Sequence, residues 1–168
     1  MTVRTVGGVA LYLNSLADDA AGAALDRCCG AARWVEGMLA ARPYASDVAV
    51  FDAAERVWWG LTRTDWLEAF RRHPRIGERE HAEAWARQEQ AAMDGAPAAT
   101  RAALADGHRV YETRFGHVFL ICATGRTPEE MRRALERRLR NDPAAELRIA
   151  ASEQAKITRL RLEKLGPR

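Results

Sequence analysis

Several features that would point to common functional classes are scarce in this chain of 168 residues. It has three cysteines, Cys28, Cys29 and Cys122, and they lack the paired spacing of a zinc site or a disulfide framework. We therefore predict reduced thiols and a cytoplasmic protein. No apolar run approaches the roughly 20 residues that span a bilayer, and residues 1–8 are too weakly apolar for a secretory signal, so we expect no membrane partner.

The chain also lacks a strong excess of charge of either sign. Its net charge is +3, and acids alternate with bases in stretches such as 129–133 and 136–138. This interleaving is typical of solvated helix faces and not of a nucleic-acid surface, so no nucleic-acid partner is predicted. HxxxH, CxxC, a carboxylate cluster and a glycine-rich phosphate loop are all missing from the sequence, so no metal site and no cofactor are predicted.

What the chain does contain is a series of helix-forming segments, which predicts an all-α single-domain bundle of seven or eight helices over residues 1–168, with its core at about 10–165. Caps, breakers and apolar periodicity set the expected bounds. The predicted helices run from a cap at Asn14 or Ser15 to about Cys29, from Ala31 to about Ala41, from Asp47 to Trp59 after a Ser46 cap, from Asp65 to Arg71 after a Thr64 cap, from Glu78 to Met93, from Pro97 to about Arg114 with an interruption at Gly107, from Pro128 to Asn141 after a Thr127 cap, and from Pro143 to about Leu165 after Asp142.

One segment, at about 115–124, differs from the helical pattern. It is apolar and partly β-branched, and the chain offers no second strand to pair with it, so we predict a buried extended segment between helices. An unpaired run leaves main-chain N–H and C=O groups for a polar ligand. Leu120, Ile121 and Ala123 are therefore candidates for main-chain contacts.

His73 is the first candidate for chemistry. Pro74 follows it and disfavours the α conformation at His73, so the histidine should stand at a helix exit, with Gly77 permitting a turn shortly after. A histidine fixed at such a corner can act as an acid, a base or an anion donor near neutral pH. The alternative is an ordinary surface residue at a turn.

Arg161 is the second candidate. It falls on one face of the last predicted helix, together with apolar and polar positions at helical spacing, namely Ala150, Gln154, Ile157 and Leu165. An inward guanidinium needs a partner because burying a lone charge is costly. The partner is either a carboxylate in a structural salt bridge or an anionic substrate gripped by the bidentate fork.

Glu89 is the third candidate. Trp85 lies four residues before it and Met93 four residues after it, so the carboxylate shares a helix side with two large apolar side chains. Such an acid is either a partly buried structural group or a group whose pKa is tuned for acid or base catalysis.

Taken together, several stretches resemble the family of 2-oxo-4-hydroxy-4-carboxy-5-ureidoimidazoline (OHCU) decarboxylases. These stretches are Arg27–Gly30 with Arg33-Trp34, Arg42-Pro43-Tyr44, His73–Gly77, Glu89-Gln90, Phe115–Ala123, Arg138–Asn141 and Lys156–Leu162. The resemblance implies an all-helical, cofactor-free homodimer that converts OHCU to (S)-allantoin in urate breakdown. It implies a catalytic His73 with Glu89 as its acidic partner, an anion-binding Arg161, and ligand-lining positions at Pro74, Gln90, Phe119 and Ile121.

One position departs from the family pattern. A serine is frequent shortly before the Glu-Gln pair, and Ala86 stands there in this chain. Two other readings remain open at this point: a non-enzymatic helical interaction domain, and a different lyase or hydrolase acting on a ureido compound. An interaction domain would have no reason to hold three polar groups towards one cavity and should expose an apolar patch instead.

Overall fold

The computed structural model describes residues 8–74 and 95–166, and within these ranges the chain is all-α, as predicted. Eight helices and no strand occur there. They are α1 (Val9–Ser15), α2 (Asp18–Cys28), α3 (Ala32–Ala40), α4 (Asp47–Trp59), α5 (Arg63–Arg71), α6 (Ala98–Phe115), α7 (Pro128–Arg138) and α8 (Pro143–Glu163). No helix among these eight is long and apolar enough to cross a membrane.

The chain divides into two compact units, and the single-domain organisation remains a prediction. The first unit comprises Met1–Ala69 with Ala155–Arg168, and the second comprises Phe70–Gln154. The boundaries fall inside α5 and α8, so both helices contribute residues to each unit. Each unit is described separately below.

The core of the first unit is built from the apolar faces of α1 to α4. Trp34 and Met38, four residues apart on α3, are fully buried. The indole Nε1 of Trp34 donates to the carbonyl of Ala54 on α4 at 3.2 Å, so its polar group is satisfied inside the core. Leu13 and Leu25 are also fully buried.

The predicted first helix corresponds to α2, but its predicted cap at Asn14 or Ser15 is wrong, and the preceding helix α1 was not predicted. The Asn14 side chain exchanges hydrogen bonds with the main chain of Tyr44, at 2.8 and 2.9 Å, and is therefore not a cap. The start of α1 is capped from a distance, since Asp47 accepts from the N–H of Ala10 at 2.9 Å. Helix α2 starts after Ala17, which has no capping side chain.

Local capping chemistry decides where α4 and α5 begin. Ser46 accepts from the N–H of Ala49 at 3.2 Å, which confirms the predicted start of α4. Helix α5 begins at Arg63, two residues before the predicted start, because Thr62 and Asp65 form the cap. The Asp65 carboxylate accepts from the N–H of Thr62 at 2.9 Å and from its hydroxyl at 2.7 Å. These hydrogen bonds lower the pKa of Asp65.

In the second unit, α6 and α7 pack closely around a shared apolar cluster. The predicted interruption at Gly107 is wrong, since α6 continues through it. An ideal Cβ at Gly107 would lie 2.5 Å from Cδ2 of Leu135, so the glycine allows close approach of the two helices. Helix α6 ends at Phe115, and the C-cap residue Gly116 has a left-handed φ of 77°. The cluster consists of Leu104, Tyr111, Phe115, Phe119, Ile121, Met131, Ala134 and Leu135.

Helices α7 and α8 start where the sequence predicts. Thr127 and Glu130 form a reciprocal capping box at α7, and Asp142 accepts from the N–H groups at the start of α8. Helix α7 ends at Arg138, three residues before the predicted end at Asn141. Arg138 itself is buried, so the prediction that the 136–138 charges are all solvated is wrong at this position.

Candidate active site

The exit of α5 fixes the backbone of His73. The helix ends at Arg71, and the N–H of His73 donates to the carbonyl of Phe70 at 3.1 Å, which confirms the predicted helix exit. Phe70 is buried, and its ring lies 5.3 Å from the ring of His117. His73 and Pro74 are half-buried in the second unit. A fixed, partly accessible imidazole is what acid–base chemistry requires.

The side chain of His73 is held by Gln154 of α8. Nε2 of the imidazole lies 2.5 Å from Oε1 of Gln154, which is fully buried. An amide oxygen accepts and does not donate, so this contact places a proton on Nε2. In the neutral imidazole the lone pair then sits on Nδ1.

The segment between α6 and α7 is buried and irregular. Residues 117–123 form neither helix nor strand, and Phe119, Leu120 and Ile121 are buried while Ala123 is half-buried. This confirms a buried segment without a strand partner in the ranges that the structure describes. The N–H of Cys122 donates to Oε2 of Glu153 at 3.1 Å, so α8 anchors the end of the segment.

A buried polar network anchors the middle of the same segment. Arg138 of α7 donates from Nη1 to the carbonyl of Leu120 at 2.5 Å and from Nε to Glu146 at 2.7 Å. Glu146 is fully buried and also accepts from the hydroxyl of Tyr111 at 2.5 Å and from Nδ2 of Asn141 at 2.9 Å. Burial and the adjacent carboxylate raise the pKa of Tyr111, so this phenol stays protonated and donates.

Two consecutive residues of α8 therefore act on two parts of the candidate site. Glu153 holds the main chain at Cys122, and Gln154 holds the side chain of His73. The structure thus ties His73 and the 117–123 segment to the same turn of one helix. Arg126 lies with Nη2 3.7 Å from Oε1 of Glu153 and adds an ion pair at this anchor.

Arg161 lies in the first unit, near the C-terminal end of α8. Its predicted stripe is confirmed, because Ile157 and Leu165 are buried and Arg161 is half-buried. Nη1 of Arg161 donates to the carbonyl of Arg27 at 3.4 Å. Burial raises the pKa of the neighbouring Cys29 thiol to about 12, so this cysteine is not a nucleophile at neutral pH.

Part of the predicted site lies outside the described residues. Glu89, Gln90 and the departing position Ala86 fall there, as do the turn at Gly77 and the predicted helix 78–93. In the ranges 8–74 and 95–166, no group of three or more His, Cys, Asp or Glu side chains is arranged to hold a metal ion.

The sequence did not reveal the buried polar residues that hold His73 and the 117–123 segment in place. These residues are Arg138, Glu146, Glu153 and Gln154. A signal was present for two of them. Arg138 follows Ala134 by four residues and Met131 by seven, which places it on the inner face of α7. Gln154 lies on the inward stripe of α8, but its partner is 81 residues away and could not be read from local spacing.

Comparison with known proteins agrees with this architecture. A family model described as OHCU decarboxylase matches residues 14–163. The "Uric acid degradation bifunctional protein TTL" of Arabidopsis thaliana is 40% identical over 146 residues, which cover 82% of this chain and 45% of that protein. A protein of Haloferax volcanii named 2-oxo-4-hydroxy-4-carboxy-5-ureidoimidazoline decarboxylase is 28% identical over 153 residues, covering 89% of this chain and 91% of that one.

A solved structure is similar over nearly its whole length. It carries the description "Crystal structure of OHCU decarboxylase in the presence of (S)-allantoin". The TM-score is 0.74 at 37% identity, with 89% of this chain and 97% of that chain covered. With the helical fold, these matches define an all-α enzyme of the carboxy-lyase class. The chain belongs to the OHCU decarboxylase family.

Proposed function

We propose that this chain decarboxylates OHCU to (S)-allantoin, the last of three steps from urate. The observation that carries the proposal is the match to the OHCU decarboxylase model over residues 14–163. The structural relative that is 37% identical was crystallised in the presence of (S)-allantoin, which would be the product here. The chain spans 45% of the Arabidopsis relative, so the second activity of that bifunctional protein is not carried over.

The reaction places few demands on the protein beyond positioning. OHCU bears a carboxylate and a hydroxyl on one ring carbon, beside a ring C=N. When the bond to the carboxylate breaks, CO2 leaves and the electron pair moves into the C=N, which gives an enol-like intermediate. Protonation of this intermediate on one face yields the S product. The substrate supplies its own electron sink, so the proposal includes no cofactor.

Each candidate side chain has a role in this scheme. His73, with Glu89 as its acidic partner, would sit at the carboxylate and hydroxyl, orient them for cleavage and handle the hydroxyl proton. Arg161 would grip polar oxygens of the ring or ureido group. The remaining proposed contacts are with lining residues and main-chain groups, at Pro74, Gln90, Phe119, Leu120, Ile121 and Ala123.

We also propose that the enzyme works as a homodimer in the cytoplasm. The dimer is inferred from the family resemblance, and the compartment is inferred from three buried cysteines that form no disulfide bond. Size-exclusion chromatography with light scattering tests the first proposal. A mass near one chain at micromolar concentration would contradict it.

The test of function couples three proteins in one cuvette. Urate oxidase and hydroxyisourate hydrolase generate OHCU from urate, this protein is added, and circular dichroism follows the product. A fast rise of the (S)-allantoin signal over the slow racemic course without the protein is the expected result. A course identical to the spontaneous one, with folded protein, would refute the proposed function.

A further inference from the structure

The Arg138 guanidinium is buried and contacts both a carboxylate and the main chain. It lies 7% exposed, with Nε and Nη2 both 2.7 Å from Oε1 of Glu146, while Nη1 donates to the carbonyl of Leu120 at 2.5 Å. Its central carbon also stands 4.5 Å from the ring centre of Phe119. One side chain therefore touches the main chain and a side chain of the segment assigned above to substrate binding.

We propose that Arg138, fixed by Glu146, is a positioning residue that sets the conformation of Phe119–Ile121 for substrate. This inference rests on the proposed function, because it deepens the role of the same segment. Neither residue reaches the reaction itself in this scheme. Both act through the peptide groups and the ring that they hold.

The carboxylate of Glu146 holds the Arg138 guanidinium in a fixed orientation. It accepts from Arg138, from the Tyr111 hydroxyl at 2.5 Å and from Asn141 at 2.9 Å. These donors come from α6, from α7 and from the turn after α7, so three pieces of chain converge on one buried anion. A buried ion pair is weak evidence for stability, since apolar residues often replace one without loss. The ion pair instead fixes the orientation of the guanidinium, because the planar group then holds Nη1 at a set angle to the Leu120 carbonyl.

Fixing the Leu120 carbonyl also fixes the next amide. The peptide bond between Leu120 and Ile121 is trans, and in a planar trans peptide the C=O and the N–H point in opposite directions. Arg138 on the carbonyl side therefore directs the N–H of Ile121 away from the network. Glu153 fixes the following amide, that of Cys122, at 3.1 Å. The irregular backbone of this segment has no strand partner to form hydrogen bonds with it. The side chains of Arg138 and Glu153 supply such hydrogen bonds instead.

The decisive variant is Arg138→Lys, which keeps the charge beside Glu146 but loses the fork. One ammonium group cannot reproduce the planar contacts to both Glu146 and Leu120. Arg133→Lys is the matched control, because its side chain is 64% exposed on the same helix. The readouts are KM and kcat per folded molecule, the enantiomeric excess of allantoin, and hydrogen exchange of a peptide covering residues 117–124.

We expect Arg138→Lys to raise KM by about tenfold, to lower the S excess and to speed exchange in residues 117–124, with Arg133→Lys unchanged. A purely structural role would lower the folded fraction and leave KM and the S excess of the folded molecules as they are. That result would overturn the proposal, and so would wild-type exchange in a folded Arg138→Lys.

A second variant covers the case in which Arg138→Lys does not fold. Tyr111→Phe keeps the ring and removes one hydrogen-bond donor to Glu146. It should therefore raise KM and speed hydrogen exchange, as Arg138→Lys does, by about twofold to threefold. Wild-type values for a folded Tyr111→Phe would then count against the proposal. An inactive wild-type protein would instead refute the proposed function, and the exchange data would still decide whether Arg138 holds the segment.

Discussion

Nε2 of His73 lies 2.5 Å from the amide oxygen of Gln154, which sits fully buried on α8, 81 residues further along the chain. A helix exit fixes the backbone of the histidine, and this hydrogen bond fixes its ring. Positioning of this kind is what a decarboxylation with its own electron sink needs most, because the protein has to orient groups more than to supply acidity.

Replacement of His73 by alanine should remove most of the catalysis. We expect kcat to fall by about 10²–10⁴-fold, since a positioned acid–base group contributes in this range. The S excess should fall with it. Coupled kinetics with circular dichroism measures both, and Arg71→Ala, at an exposed position at the end of α5, is the control. An unchanged rate and S excess in His73→Ala would remove this residue from the mechanism.

Gln154→Glu should shift the pH dependence of the reaction. It replaces a neutral amide beside the imidazole with a carboxylate, which favours the charged imidazolium. The limb of kcat/KM that reports this histidine should therefore move to higher pH. Gln154→Leu removes the hydrogen bond without adding charge and should lower kcat without such a shift. Superimposable pH profiles for wild type and Gln154→Glu would show that the contact does not tune His73.

Arg161→Ala should weaken binding more than it slows chemistry. We expect the affinity for (S)-allantoin, measured by calorimetry, to fall by about tenfold to a hundredfold, since charge-assisted hydrogen bonds to a ligand are lost. Arg159→Ala is the control, because this arginine lies on the same helix with its side chain 54% exposed. Equal affinity in wild type and Arg161→Ala would exclude the proposed grip on substrate.

His108 should make the fold sensitive to acid. It is 7% exposed, its ring lies 5.2 Å from the ring of Phe119, and its Nε2 makes no hydrogen bond within the described chain. Burial lowers the pKa of His108 to about 4, and nearby Glu112 offsets this only in part. The folded state therefore resists protonation while the unfolded chain takes up a proton near its ordinary value of 6.5.

The stability contributed by neutral His108 is complete above pH 6.5 and is lost as the pH falls towards 4. We expect wild type to lose about 2 kcal/mol more than His108→Phe between pH 7.5 and pH 5, as measured by urea unfolding at each pH. Phenylalanine is chosen because it keeps a ring against Phe119. Parallel losses in the two proteins would show that His108 does not carry this acid sensitivity.

Gly107→Ala should destabilise the protein although alanine is the better helix former. The gain of about 1 kcal/mol from propensity is opposed by overpacking of about 1–3 kcal/mol. The new Cβ would meet the buried Leu135 side chain at 2.5 Å. Thermal unfolding measures the balance, and Ala103→Gly, exposed on the same helix, calibrates propensity alone. A Gly107→Ala protein that melts higher than wild type would mean that Leu135 has room to move.

The sequence predicted those elements whose signals are local. The start of α4 at Ser46 and the Thr127–Glu130 box of α7 needed only neighbouring residues, and both are confirmed. The start of α2 was predicted too early, because Asn14 bonds to the main chain of Tyr44, 30 residues away, and so does not cap a helix. Tertiary partners override propensity at such places.

The candidate site also combines features with local sequence signals and features set by distant residues. The helix exit at His73 and the buried segment were predictable, since proline and a β-branched run leave local signals. The residues that hold them were not, because Gln154 and Glu153 reach back across long stretches of chain to make their hydrogen bonds. The roles of His73, Glu89 and Arg161 in catalysis remain predictions.

The cap that Asp47 provides for α1 has a consequence for the order in which the protein forms during synthesis. The N–H of Ala10 finds its acceptor 37 residues later in the chain, so a ribosome must release α4 before the start of α1 can be completed. Helix α1 has only seven residues and is too short to persist alone in water. Helix α1 therefore acquires this cap only once the first residue of α4 is available.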